Sequence, residues 1–136
     1  MNNSLKKLSI FSLAAGVGQM IHDQADDDKV KWRSSLLARS GNEALATCKA
    51  KIDASRLNQV KKKIDAVCED KEKFDTINML SFLLTGLDDL QAHCKRKAEI
   101  NSCIKRANWL LEFFDPKLEN TDLFKTANKQ YLEWVK

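Results

Sequence analysis

Four cysteines, Cys48, Cys68, Cys94 and Cys103, are the residues of this chain whose type and spacing could do the most chemistry. None is arranged as C-x-x-C, so zinc-ribbon, thioredoxin-like and haem-attachment sites all lack their spacing. An even count favours two disulfides. On one straight helix Cys94 and Cys103 would stand about 13 Å apart and Cys48 and Cys68 about 30 Å apart, whereas a disulfide needs Cα atoms within about 7 Å. The first expectation is local pairing, Cys48 with Cys68 and Cys94 with Cys103, with the chain reversing inside each gap. Asp53-Ala54-Ser55 and Asn101-Ser102 supply cap residues for such reversals. The other two connectivities stay open, as does a chain of reduced, buried thiols.

Other reactive groups are sparse. An enzyme needs a nucleophile, a metal or an acid/base pair held at a site. The two histidines are His22 and His93, and His93 adjoins Cys94, which inside a disulfide is neither nucleophile nor ligand. Asp88-Asp89 reads as a helix start, where capping accounts for the acids, and no Gly-rich loop is present to hold phosphate. The expectation is a protein with no catalytic residue, no metal site and no cofactor.

Binding is the remaining kind of function. Trp109 and Phe113 lie four apart, on the opposite side of their helix from its broad apolar face, and form the candidate partner surface. Lys61, Lys62 and Lys63 are a second candidate, although a basic run of this kind is commonly a solvated helix face. The aromatic pair could also join two copies of the chain as a homodimer. Nucleic acid is not expected, because the net charge is only +4 and acids and bases are interspersed.

The elements that must position these residues read as helices. One proline and four glycines, with 43% apolar and 31% charged residues, favour an all-α chain over a turn-rich sandwich. The Asp26-Asp27-Asp28 acids suit a helix start, and that helix is expected to end at Ser40-Gly41. Val30, Ser34 and Leu37 share one side of it, and Trp32 and Leu36 the other. Asn42 can cap the next helix, with Ala44, Leu45, Cys48 and Ile52 as its stripe. Leu57, Val60, Ile64 and Val67 mark a surface helix, with the three lysines fanned over its outer side. Residues from Phe74 to Leu87 are apolar all round, predicting a buried central helix stopped or bent at Thr85-Gly86. A short helix from Asp88 to Lys97, one from Ser102 to Phe114 and one from about Thr121 complete the chain. The fold class is therefore all-α, a small disulfide-stapled bundle of about four to six helices.

The first 24 residues differ from the rest. Lys6-Lys7 precede an apolar stretch from Leu8 to Ile21 containing Leu-Ala-Ala and Gly-Val-Gly, with polar residues from His22, which is the pattern of a signal peptide. The expected organisation is a leader over 1–24 and a single helical domain over 25–136. That stretch is shorter than the roughly 20 residues of a membrane span, and no later run approaches that length. A leader and an even cysteine count both point to a secreted protein.

The segment Trp32-Arg33-Ser34-Ser35-Leu36-Leu37-Ala38-Arg39-Ser40-Gly41-Asn42-Glu43-Ala44-Leu45-Ala46-Thr47-Cys48, with the four-cysteine helical layout after it, resembles the anopheline mosquito salivary inhibitors of the albicin and anophensin type. The resemblance implies a salivary secretion that binds a host protein complex, blocking the alternative complement pathway at its convertase or, in the other branch, contact activation. It assigns no contact residues. Cys94 to Cys103 is also the C-x8-C spacing found in insect odorant-binding proteins, whose C-x3-C is lacking here; a small-ligand carrier and a periplasmic immunity protein are the alternatives.

Overall fold

A computed structural model describes residues 3–48, 54–69, 75–95, 97–114 and 121–135. Six α-helices carry the described chain: α1 (Asn3–Gln24), α2 (Asp28–Thr47), α3 (Ala54–Glu69), α4 (Thr76–His93), α5 (Ala98–Phe114) and α6 (Thr121–Trp134). No strand occurs among the described residues. None of the helices is long and apolar enough to cross a membrane.

The stretch that reads as a leader is a central helix of the bundle. Ile10, Phe11, Leu13, Ala14, Val17 and Ile21 of α1 are buried in the same core as α4 and α5. An apolar run of this length without a single polar face suits a signal-peptide core and a fully packed helix equally, so periodicity does not separate them. The folded form described here contains residues 3–24, and a chain processed after residue 24 would lack this helix.

α1 and α2 pack very closely, and two glycines allow it. A Cβ on Gly18 would lie 2.5 Å from the backbone nitrogen of Ala38, and one on Gly41 would lie 2.4 Å from that of Ala15. Ser40-Gly41 therefore does not end a helix, as the sequence suggests. α2 runs through it, because Gly41 serves close approach and not a turn. Asn42 is accordingly inside a helix rather than capping one. At the other end the acids behave as expected: the Asp27 carboxylate accepts from the backbone of Lys29 (2.7 Å) and Val30 (3.3 Å).

Gly86 departs from expectation in the same way. α4 is one helix from its Asp75 cap to His93, uninterrupted at Thr85-Gly86, and the space at Gly86 is taken by Ile10 and Tyr131 side chains. Met79, Leu80, Phe82, Leu83, Leu84, Leu87 and Leu90 are buried on several sides of it. Phe74 lies outside the described residues. Asn101-Ser102 lies in the second turn of α5, not at a break, and the reversal falls between Cys94 and Lys97 instead.

The arrangement is a four-helix ring in which α1 packs on α2, α2 on α5, α5 on α4, and α4 back on α1. α3 packs on α1 and α6 on α4. These two outer helices meet where the Lys63 ammonium donates to the Trp134 carbonyl (2.9 Å) and the Trp134 indole donates to the Lys63 carbonyl (3.4 Å). The side of the ring between α1 and α4 is thus covered. The opposite side, between α2 and α5, has no described helix over it.

Candidate functional site

The expected disulfide staple does not form among the described residues. Cys48, Cys94 and Cys103 carry free thiols, and the Cys68 side chain lies outside the described residues. The expected Cys94–Cys103 bridge is not formed: Cys94 caps the end of α4 and Cys103 lies within α5, both buried in one core with free thiols. Burial pushes the Cys103 thiol up to about 11, against the opposing pull of Arg106, and burial also raises Cys48. A protonated, buried thiol is a poor nucleophile and a poor ligand. Among the described residues no group of three His, Cys, Asp or Glu side chains is placed to hold a metal ion.

Asp89 is an interior residue of α4, not a helix start, and it gathers three helices. The Lys6 ammonium of α1 is 3.1 Å from its Oδ2, and the Tyr131 hydroxyl of α6 donates to the same oxygen. His93, one turn on, sets Nδ1 3.0 Å from Oδ1. Burial alone would raise Asp89, but the hydrogen bonds from Tyr131 and Lys6 and the nearby positive charge outweigh it and hold the carboxyl below its ordinary value. Tyr131 is pushed well above the usual phenol range, first by burial and then by its bond to Asp89. Both donors are committed to one carboxylate. The set acts as a clasp for α1, α4 and α6.

The open side of the ring is different in kind. α2 and α5 run antiparallel there, and each sends an arginine to the other: Arg33 donates to the Trp109 carbonyl (3.1 Å) and Arg106 to the Leu36 carbonyl (2.9 Å) and the Ser40 hydroxyl. The Arg33 guanidinium also sits 4.3 Å from the centre of the Trp109 ring and 5.8 Å from that of Phe113. Trp32 packs edge-on to Trp109, with ring centres 5.2 Å apart, and is 59% exposed. Phe113 is 37% exposed and packs edge-on to Phe114. Beside this array a groove of ≈ 720 Å³ opens, lined by Leu36, Lys105, Arg106, Trp109 and Glu112 among others.

The structure therefore places Trp109 and Phe113 on one face and adds Trp32 and Arg33 to it. The signal for the addition was in the sequence: Trp32 and Leu36 form an i,i+4 pair off the buried side of α2, as Trp109 and Phe113 do on α5. What periodicity within each helix does not provide is the pairing of those two stripes. The lysines are not brought to this face. They belong to α3, which packs on α1; Lys62 is exposed, Lys63 is half-buried against Trp134, and the Lys61 side chain lies outside the described residues.

Among the described residues, fold and face together define an all-helical bundle of four ring helices with two helices packed on its outside and an aromatic-lined α2–α5 side that neither of them covers. Compared with protein families, curated proteins and solved structures, the chain matches none.

Proposed function

We propose that this chain is a non-enzymatic protein-binding module that engages its partner through the α2–α5 face. The observation that carries the reading is the exposed Trp32 stacked on Trp109, with the Arg33 guanidinium over the same ring. Trp and Arg are enriched among residues that dominate protein interfaces, and a stack already held in one geometry loses little freedom on binding. An Arg bonded to a helix carbonyl while covering an aromatic ring is fixed in the same way.

The resemblance names one partner to try, the alternative-pathway convertase of complement. Its support is the stretch from Trp32 to Cys48, which contributes Trp32, Arg33 and Leu36 to this face; the cysteine layout that accompanied it draws no support from thiols that are free. The secreted setting rests on the leader-like segment, whose removal would take away α1.

A haemolysis assay restricted to the alternative pathway, run with the full chain and with Trp32→Ala, tests target and face together. Inhibition by the full chain that the variant loses, with the variant's helical spectrum unchanged, supports both. An inactive full chain removes this target. The face is then tested by placing a photo-crosslinking amino acid at Lys105 on α5 and, in a second protein, at Lys62 on α3. Adducts with a purified partner that form from position 62 and not from 105 would place binding on the covered side and overturn the reading.

A further inference from the structure

We infer that the occupant of the α2–α5 groove is an amphipathic helix of a partner protein, with an apolar stripe and an acidic flank. This deepens the reading above and rests on it. The first argument comes from the molecule's own opposite side. There α6 lies over the α1–α4 seam, sets Tyr131 where a Cβ of Gly86 and the side chain of Ile10 would meet it, and packs Trp134 edge-on to Phe82 with ring centres 5.5 Å apart. A seam between two antiparallel helices is a groove at the spacing of a third helix, and this fold fills one such groove with a helix. On the α2–α5 side the groove is present, and the aromatic rings are supplied by the seam itself.

Charge decides the flank. Lys105 and Arg106 line the groove against one acid, Glu112, Arg33 lies over the ring of the groove residue Trp109, and none of the three cations is within ion-pair reach of a carboxylate among the described residues. On the covered seam the equivalent cation, Lys6, already has Asp89. A partner that placed basic residues here would bring like charges together, whereas an acidic flank would complete the pairing that the open seam lacks. Leu36 and Trp109 in the groove, continued by Trp32 lying edge-on to Trp109 beside it, offer the apolar strip on which the helix would lie.

Three synthetic peptides of about 18 residues, long enough to present five turns, provide the test. The first is an amphipathic helix with a leucine stripe and glutamates elsewhere; the second has lysine for every glutamate; the third has the composition of the first in an order without a stripe. Each is titrated into the ¹⁵N-labelled full chain, whose three tryptophan indole resonances report separately on the open face (Trp32, Trp109) and on the covered seam (Trp134). The first peptide should shift Trp32 and Trp109, leave Trp134 in place, and bind about tenfold tighter than either of the others, a gap that narrows with added salt. Trp32→Ala should abolish this binding and Lys105→Glu should weaken it, both residues being exposed. Equal binding by the lysine peptide would overturn the acidic flank and leave the face standing. Equal binding by the reordered peptide would overturn the helix. Shifts at Trp134 alone would overturn the inference and the face together. Binding by none of them would overturn the inference, leaving the crosslinking pair to judge the face. Concentration-dependent shifts of Trp32 and Trp109 without peptide would make a second copy the occupant.

Discussion

The α1–α4 seam and the α2–α5 seam lie on opposite sides of one helical ring and end differently at their outer surfaces. On the first, α6 and α3 close over the groove, Phe82 sits beneath Trp134 and Tyr131, and the Lys6 ammonium is met by the Asp89 carboxylate. On the second, Trp32 stands in solvent, and two guanidiniums are held by carbonyl oxygens, leaving their charge unopposed. Carbonyl oxygens satisfy a guanidinium's hydrogen bonds without neutralising it. The covered side is finished for stability. The open side keeps an exposed tryptophan and two arginines bonded to carbonyls, the features on which the proposed interface rests.

Loss of α1 is the largest change expected on the covered side. Ile10, Phe11, Leu13, Val17 and Ile21 are all buried, and each is worth about 1.5–3 kcal/mol when fully buried, against a total stability of about 5–15 kcal/mol for a domain. The fragment 25–136 should therefore lack a cooperative thermal transition by circular dichroism. A folded fragment with the native helical spectrum would mean that α1 is dispensable, and the comparison between seams would collapse.

The glycines give the next effect. At Gly41 an added side chain meets the α1 backbone, so Gly41→Leu should cost about 3 kcal/mol or more in urea unfolding. At Gly86 the same addition meets no backbone, only side-chain atoms of Ile10 and Tyr131 at 3.2 Å, a crowding of a few tenths of an ångström that the up to about 1 kcal/mol gained by a helical alanine over glycine would offset. Gly86→Ala should be near neutral. Equal losses at both would show that the covering helix is held as tightly as the α1–α2 pair.

These two positions also show what the sequence could disclose. The all-helical class follows from composition, and the α2 start and the all-round burial of α4 follow from local pattern: an acid at a cap and apolar residues on every side. A glycine inside a helical pattern carries two meanings, a stop or a close approach, and only the partner helix distinguishes them. The leader-like run has the same ambiguity. For the site, the Trp109–Phe113 stripe was visible within its own helix, while Trp32 and Arg33 joined it through contacts 76 residues away in sequence, which no periodicity encodes. The disulfide expectation rested on an even count and on chain reversals inside each gap, and neither told where the cysteines stand: Cys94 and Cys103 are buried in one core with free thiols.

Tyr131→Phe probes the clasp with little change of shape. Losing a hydrogen bond to a charged group should cost about 1.5–3 kcal/mol. The pH dependence has a definite sign on each limb. Asp89 is held below its ordinary value, so its contribution is present above about pH 4 and lost as pH falls through the lower folded value. Tyr131 is raised, so its contribution is present below about pH 10 and lost as pH rises beyond that. The stability gap between native and variant, from urea unfolding across pH, should be widest between those limits and narrow on both sides. A gap that did not change with pH would assign the loss to packing rather than to the Asp89 bond.

The smallest effect on stability is expected at Trp32, where the comparison between seams is sharpest. Trp32 is 59% exposed, and among the described residues its aromatic contact is the edge-on packing on Trp109, an arrangement worth about 0.5–1.5 kcal/mol beyond the area it covers. Trp32→Ala should lower stability by about 1 kcal/mol, whereas Phe82→Ala on the covered seam, at 1% exposure, should cost about 3–5 kcal/mol. The arginines distinguish this from a merely weak core position. With Trp32 gone, Arg33 still donates to the Trp109 carbonyl and still covers its ring, so the α2–α5 seam keeps its geometry while losing its most exposed aromatic. Stability that hardly moves while partner binding disappears is the signature of an interface residue. A loss at Trp32 as large as that at Phe82 would mean that the open seam is core.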